Sequence, residues 1–173
     1  LGGKAVFVGS HPMAGSEKGG MEHAEPELFA GKPCFVTPGM RSDERAVRQI
    51  REFWEALGMT VSRVTPEEHD RIVAYISHLP HVLGATLCAM LAEKTDPAWG
   101  RFAGSGLLDS TRVASGGVEM WKPILEQNRS EIAPAIHRMI EALEHLRTHL
   151  EAGRFDVVEG LLREGKRYRD SLE

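Results

Sequence analysis

The stretch Thr65-Pro66-Glu67-Glu68 decides the fold, because here the chain changes from alternating strands and helices to helices alone. A threonine followed three residues later by glutamate is typical of a capping box, and proline at the first helical position strengthens the helix start. Pro80 predicts a kink near residues 76–79, because proline lacks the N–H that a helix needs. The apolar positions that keep helical spacing after this start are Ile72, Ile76, Leu79, Leu83, Leu87 and Met90.

Upstream of this stretch, the pattern is that of an α/β protein. Residues 5–8 and 33–36 are short apolar runs that predict buried strands, and residues 60–64 alternate as a half-buried strand does. Ser42 is predicted to cap a helix that Gly58 ends. Because the chain opens inside a strand, we expect that its beginning is missing.

Downstream, two further helices are predicted. A segment rich in glycine and serine at residues 100–117 precedes a periodic apolar run over 132–150, and a last charged helix follows Gly153. Long helices with one apolar face usually bury that face against a partner, so we expect a homodimer through residues 66–173. The predicted fold is an α/β remnant in residues 1–65 followed by an all-helical domain in residues 66–173.

The composition is that of an ordinary globular domain, with 173 residues of which 42% are hydrophobic and 27% charged, and a net charge of −4. These values exclude intrinsic disorder. No basic stripe suited to nucleic acid is present, and no apolar run approaches the ~20 residues of a membrane span, so neither partner is expected. Cys34 and Cys88 lie far apart, which predicts two buried thiols in a reducing cytoplasm and no disulfide.

His11 is the first candidate for chemistry. Histidine suits proton transfer near neutral pH, and His11 stands directly after the first predicted strand. Ligands of open α/β sheets collect at the carboxyl ends of the strands. His11 is therefore a candidate catalytic residue, and the alternative is a histidine that caps a loop.

A second pair of histidines, His78 and His81, flanks Leu79-Pro80 in the kinked helix. A His-x-x-His pair can supply two metal ligands, but no cysteine or carboxylate stands at complementary spacing. Structural hydrogen bonding is therefore favoured, and no metal site is predicted. The pair His145 and His149 is assigned to a solvated helix face.

Arg112 lies in a segment of small residues, Asp109-Ser110-Thr111-Arg112. A guanidinium can hold a carboxylate by two hydrogen bonds, which makes Arg112 a candidate anchor for an acidic small molecule. An ordinary ion pair on a helix surface is the alternative. The sequence contains no Gly-x-Gly-x-x-Gly fingerprint, and Gly104-Ser105-Gly106 does not follow a strand.

The stretch His11-Pro12-Met13-Ala14-Gly15-Ser16-Glu17 resembles a motif of the prephenate and arogenate dehydrogenases of tyrosine biosynthesis. Three further stretches resemble the family in the same order. They are Gly31-Lys32 with Val36-Thr37-Pro38, then Ser77-His78-Leu79-Pro80-His81, then Thr111-Arg112-Val113-Ala114 with Met120-Trp121. The resemblance extends over nearly the whole chain.

This resemblance implies a hydride-transfer reaction on a cyclohexadiene ring. Enzymes of the family oxidise the ring at its hydroxyl-bearing carbon with NAD or NADP and release the ring carboxylate as carbon dioxide. Prephenate gives 4-hydroxyphenylpyruvate, and arogenate gives tyrosine. The resemblance implies that His11 is catalytic and that the substrate-binding residues are Arg112, His81, Trp121, Ser16 and Glu17.

The resemblance also implies a Rossmann-like NAD(P)-binding domain, of which residues 1–65 are the last part, and a helical dimerisation and substrate-binding domain over residues 66–173. Because the glycine-rich fingerprint is absent, we expect the chain to be a fragment of a cytoplasmic enzyme and inactive alone. Two alternatives stay open at this point, namely arogenate as the substrate and a helical dimerisation module without catalysis. A metal-binding histidine protein is a more distant third.

Overall fold

The computed structural model describes residues 6–15, 20 and 25–172. Within them, three strands form one small sheet in the order β1, β2, β3. The outer strand β1 is antiparallel to β2, whereas β2 is parallel to β3, with a helix between these two strands in the sequence. The elements are β1 (Gly9–Pro12), β2 (Pro33–Thr37), α1 (Glu44–Ala56) and β3 (Thr60–Arg63).

The core under this sheet is built where α1 packs on β2 and β3. Cys34, Val36, Val47 and Met59 are all buried there. Both cysteines of the chain are free thiols, but Cys88 is exposed, so the prediction of two buried thiols is wrong for this residue.

The first strand differs from the sequence prediction. Val6 and Phe7 are 50% and 87% exposed, and pairing with β2 begins only at Gly9, opposite Thr37. The strand predicted at residues 5–8 is therefore wrong in position, because hydrogen bonding to β2 decides where the strand lies and apolar character alone does not. As a result, His11 lies inside β1, opposite Phe35, and not in a loop after the strand.

Helices make up most of the remaining chain, so the expected order of an α/β segment followed by helices is confirmed. The hydroxyl of Thr65 caps the first of them by accepting a hydrogen bond from the Glu68 amide at 3.1 Å. By contrast, α1 is capped by Asp43, one residue after the predicted Ser42. The helices after β3 are α2 (Pro66–Val73), α3 (Leu79–Lys94), α4 (Ser105–Thr111), α5 (Val118–Gln127), α6 (Arg129–Glu151) and α7 (Phe155–Asp170), with 3₁₀ turns at Pro97–Phe102 and Arg112–Ser115.

The kink predicted from Pro80 takes the form of one wide turn. Ala74–His78 is a π-helical turn between α2 and α3, in which the amide of Leu79 donates to the carbonyl of Ala74. Proline removes one helical donor and crowds the carbonyl four residues before it, here that of Ile76. The wide turn accommodates both effects.

One helical stretch of the described residues, Pro66–Lys94, is 29 residues long and apolar enough to cross a membrane by length and composition. This differs from the expectation that no run approaches such a length. A buried core helix meets the same criterion. In this stretch, 33% of the apolar window is buried, and the buried residues include Val73, Ala74 and Leu79.

The chain packs as two compact units, residues 1–132 and residues 133–173. In the first unit, the helical part of the core contains Val73, Leu79 and Ile132. The second unit, taken by itself, exposes large apolar side chains on both of its helices. They are Ile140, Leu143, Leu150, Phe155, Leu161 and Leu162. The division expected at residues 65 and 66 stays a prediction.

Asn128, at the junction of α5 and α6, is a buried polar residue that joins α5 to the kinked helix. Its side-chain amide donates to the backbone carbonyl of Asp70 at 2.8 Å and lies 3.1 Å from Nδ1 of His78. An amide group has two N–H donors, so both are used. Because Nδ1 of His78 accepts, the proton of this neutral imidazole resides on Nε2.

We predict that Asn128→Leu destabilises the chain by about 1–3 kcal/mol, because it leaves the buried Nδ1 of His78 without a donor. The measurement is the free energy of unfolding in urea. Gln127→Leu is the matched control, since Gln127 is exposed and surface substitutions usually change stability by less than about 0.5 kcal/mol. Equal effects of the two substitutions would contradict the role of the buried amide.

Candidate active site

An open cleft of about 920 Å³ lies between the end of β1, the π-helical turn and the segment that runs from Arg112 into α5. Four of the six residues proposed from the sequence line it: His11, His81, Arg112 and Trp121. They come from positions up to 110 residues apart, and the helix break and the loop before α5 bring them together. The cleft is therefore a candidate binding site for a small molecule.

His11 also lines a second cleft of about 1210 Å³, together with Ser10, Thr37 and Arg41. His11 thus borders both clefts. Burial lowers the pKa of His11 below its usual value of 6.5, and the neighbouring His69 lowers it further. A ring held neutral in this way can accept a proton near neutral pH.

His81 and Trp121 form a stacked pair at the first cleft, with ring centroids 3.5 Å apart and planes within 10° of each other. Burial lowers the pKa of His81, although a hydrogen bond to the Val113 backbone acts in the opposite direction. The Trp121 ring fits against Gly116, where a Cβ atom would lie 2.6 Å from the indole nitrogen and 3.2 Å from Cε1 of His81. Glycine at position 116 is therefore a steric requirement of the stack.

His78 contacts Trp121 differently from His81. Its ring meets the indole edge to face, with centroids 6.0 Å apart, while its Nδ1 faces Asn128. Burial is the main cause that lowers the pKa of His78. The structural role expected for His78 agrees with these contacts, and no cluster of three metal-binding side chains occurs in the part of the chain that the structure describes.

Arg112 begins the 3₁₀ turn Arg112–Ser115 and lines the first cleft from an exposed position. A guanidinium placed there can bind a carboxylate of a bound molecule. Together with the neutral base and the flat stacked pair, it equips the cleft for an acidic, ring-shaped ligand.

Ser16 and Glu17 lie outside the described residues, so their role stays a prediction. Ser77 was missed, although it lines the first cleft and belongs to the quoted Ser77-His78-Leu79-Pro80-His81 stretch, which was the available signal. His69 was also missed as a neighbour of His11, because no local sequence pattern predicts a contact between residues 58 positions apart.

Comparison with known proteins matches both parts of the chain to one family. The profile described as "Prephenate dehydrogenase, nucleotide-binding domain" matches residues 1–63, and the one described as "Prephenate dehydrogenase, dimerization domain" matches residues 65–164. The fold thus joins part of a nucleotide-binding domain to a helical dimerisation domain.

Individual relatives agree with the profiles. Prephenate dehydrogenase of Bacillus subtilis (strain 168) is 35% identical over 168 residues, which are 96% of this chain and 45% of that protein. The crystal structure of prephenate dehydrogenase from A. aeolicus in complex with hydroxyphenyl propionate and NAD+ gives a TM-score of 0.91 at 31% identity, over 96% of this chain and 59% of that one. The crystal structure of Synechocystis arogenate dehydrogenase gives a TM-score of 0.84 at 29% identity, over 98% of this chain and 62% of that one.

The chain therefore belongs to the prephenate dehydrogenase family, and the resemblance noted in its sequence is confirmed. It spans about half the length of the curated relatives it matches, from 39% to 58%.

We predict that Gly116→Ala displaces Trp121 from His81, because the added methyl group occupies the space of the indole. The measurement is the proton NMR spectrum of the His81 ring, whose signals are shifted upfield by the stacked indole and should move back in the variant. Gly117→Ala is the matched control, since a Cβ atom there meets nothing within 4 Å. Unchanged His81 signals in Gly116→Ala would contradict the steric requirement.

Proposed function

We propose that the protein containing this chain is a prephenate dehydrogenase, which converts prephenate and NAD(P) to 4-hydroxyphenylpyruvate, carbon dioxide and the reduced cofactor. The observation that carries the proposal is one cleft that holds a neutral histidine, an arginine and a stacked aromatic pair. The family membership and the named relatives support it.

In this proposal, His11 handles the hydroxyl proton. As the C–H bond at the hydroxyl-bearing carbon breaks, the imidazole takes the O–H proton and the C–O bond gains double-bond character. When the ring carboxylate leaves, the electron pair of the breaking C–C bond flows into the ring, and the oxygen recovers the proton as a phenol. General-base help of this kind typically contributes about 10²–10⁴ in rate.

Arg112 and the His81–Trp121 pair bind the substrate. Prephenate carries two carboxylates, and the guanidinium of Arg112 suits one of them because it can donate two parallel hydrogen bonds. The flat faces of the stacked pair suit a six-membered ring. Ser16 and Glu17 are proposed as further substrate-binding residues on the sequence resemblance alone.

The cofactor is proposed to approach His11 from the second cleft. That cleft shares His11 with the first and has Ser10, Thr37 and Arg41 on its walls, which fits the reactive end of a dinucleotide next to the substrate. When bound, the nicotinamide ring supplies the hydride acceptor. The sequence has no glycine-rich fingerprint for the pyrophosphate, so these 173 residues are proposed to hold only this end of NAD or NADP and to be inactive alone.

The domain division and the assembly are part of the same proposal. Residues 1–65 form the C-terminal remainder of a Rossmann-like NAD(P)-binding domain, and residues 66–173 form a helical domain for substrate binding and homodimerisation. The two profiles, which meet between residues 63 and 65, support the division. We place the protein in the cytoplasm on the sequence resemblance alone.

Turnover tests the reaction directly. The protein is expressed from the start codon of its own gene, and formation of reduced cofactor is followed with prephenate and, in parallel, with arogenate. We expect turnover with prephenate. Turnover with arogenate alone would move the protein to the arogenate-specific class, and no turnover with either in a folded protein would favour a dimerisation module without catalysis.

In the same assay, Arg112→Ala should raise the KM for prephenate by about 10–100-fold, because a hydrogen bond between charged groups is worth about 1.5–3 kcal/mol. Arg45→Ala is the control, since Arg45 is exposed on α1 and lines neither of the two clefts around His11. A normal KM in Arg112→Ala would remove Arg112 from substrate binding.

The proposed dimer is tested by sedimentation of this chain. Apolar side chains such as Ile140, Leu143 and Phe155 are 52–65% exposed in the unit formed by residues 133–173, and burial against a second copy would remove them from water. We expect a dimer at micromolar concentration, and replacement of Ile140 and Leu143 by glutamate should give monomers. A monomeric wild-type chain would contradict the proposal.

A further inference from the structure

Three side chains form a hydrogen-bonded row that ends at His11. Nδ1 of His11 lies 2.8 Å from Nε2 of His69, and Nδ1 of His69 lies 2.8 Å from Oδ1 of Asp70. Both nitrogens of His69 are therefore engaged, one by the proposed base and the other by a carboxylate.

The chemistry of the groups decides where the protons reside. A carboxylate only accepts hydrogen bonds, so the nitrogen of His69 that faces Asp70 carries the hydrogen. In a neutral imidazole the other nitrogen is then an acceptor. Nε2 of His69 must consequently accept from Nδ1 of His11, which leaves the lone pair of His11 on Nε2.

The row is held by packing on several sides. His69 lies in the first turns of α2, and its side chain is only 17% exposed. Phe35 of β2 meets the His69 ring edge to face, with centroids 5.5 Å apart. The backbone carbonyl of Asp70 is fixed by Asn128. These contacts fix the position of the His69 ring without involving Arg112 or Trp121.

The row ends at an anion, because Nδ1 of His69 lies 2.8 Å from the Asp70 carboxylate. The same three residues act electrostatically on the nearby His78, together with His81. Asp70 is the anion among them, and its carboxylate can offset the positive charge that appears on His11 when this residue takes a proton.

We propose that His69 and Asp70 are positioning residues that hold His11 in the tautomer with a free Nε2, the nitrogen that takes the hydroxyl proton of the substrate. The tautomer is a property of this chain, whereas its catalytic consequence rests on the proposed function. When Nε2 of His11 is protonated, Nδ1 keeps its hydrogen bond to His69, and the row connects the new charge to the Asp70 carboxylate. A contact between two neighbouring histidines without such a role is the competing explanation.

Nitrogen NMR of the 173-residue chain, labelled with nitrogen-15 in histidine, tests the tautomer without substrate or cofactor. We expect His11 to show a protonated Nδ1 and an unprotonated Nε2 at neutral pH. His69→Phe removes the acceptor and should release His11 to a mixture of tautomers. His69→Gln offers a carbonyl oxygen near the former Nε2 and should restore the wild-type pattern.

Asp70→Ala should give a mixture of tautomers at both His69 and His11. Glu68→Ala should leave the tautomers of both histidines unchanged. Glu68→Ala is the matched control, because Glu68 is exposed on the same helix and its substitution removes the same negative charge. A wild-type His11 with its hydrogen on Nε2, or a His69→Phe variant that keeps the wild-type tautomer, would overturn the proposal.

Kinetics of the protein expressed from its own start codon test the consequence. His69→Phe should lower kcat on the order of 10–100-fold, with little change in the KM for prephenate. Losses of this size are found when the outer hydrogen-bond partners of metal-bound histidines are replaced. His69→Gln should recover part of the loss, and Glu68→Ala should match the wild type. A normal kcat in His69→Phe would overturn the positioning role.

The NMR and kinetic measurements test the tautomer and the proposed function independently of each other. Absence of turnover in the wild-type protein would reject the proposed function, while the NMR result would still decide whether His69 and Asp70 set the tautomer of His11.

Discussion

The break in the long helix at Ala74–His78 is the constraint on which the cleft depends. Because Pro80 cannot donate a hydrogen bond and crowds the turn before it, the chain widens to a π-helical turn between α2 and α3. This turn places Ser77 and His81 at the cleft and sets His78 against Asn128. The helix before the break carries His69, whose Nε2 lies 2.8 Å from Nδ1 of His11. One helix and its break therefore contribute to both clefts that His11 lines.

The electrostatic character of the site follows from burial. Desolvation lowers the pKa of His11, His78 and His81, which keeps these rings neutral and leaves Arg112 to supply positive charge at the edge of the cleft. This separation suits a site in which one group must accept a proton while another binds an anion. A cation in direct contact with His11 would lower its proton affinity further.

Local sequence signals predicted the parts of the structure that depend on neighbouring residues. The helix cap at Thr65, the kink at Pro80 and the helix ends at Gly58 and Gly153 are encoded within a few positions. The two glycines adopt the positive φ that such ends favour. The predicted position of β1 was wrong, because the position of this strand is decided by pairing with a strand more than 20 residues away. The contact between His11 and His69, and the space that Gly116 leaves for Trp121, depend on packing between distant segments. No local pattern encodes such contacts, whereas the motifs shared with a family pointed to the cleft residues directly.

In the described sheet, β1 is an edge strand that pairs only with β2, and this has a consequence for the local stability of the site. An edge strand needs fewer broken hydrogen bonds to open than a central one, so its amide protons exchange at a lower free-energy cost. In this chain taken by itself, the proposed base therefore stands on a strand that is less protected than its neighbour. Any molecule that fills either cleft beside His11 also restrains this strand, so occupancy and local order of the backbone are thermodynamically coupled.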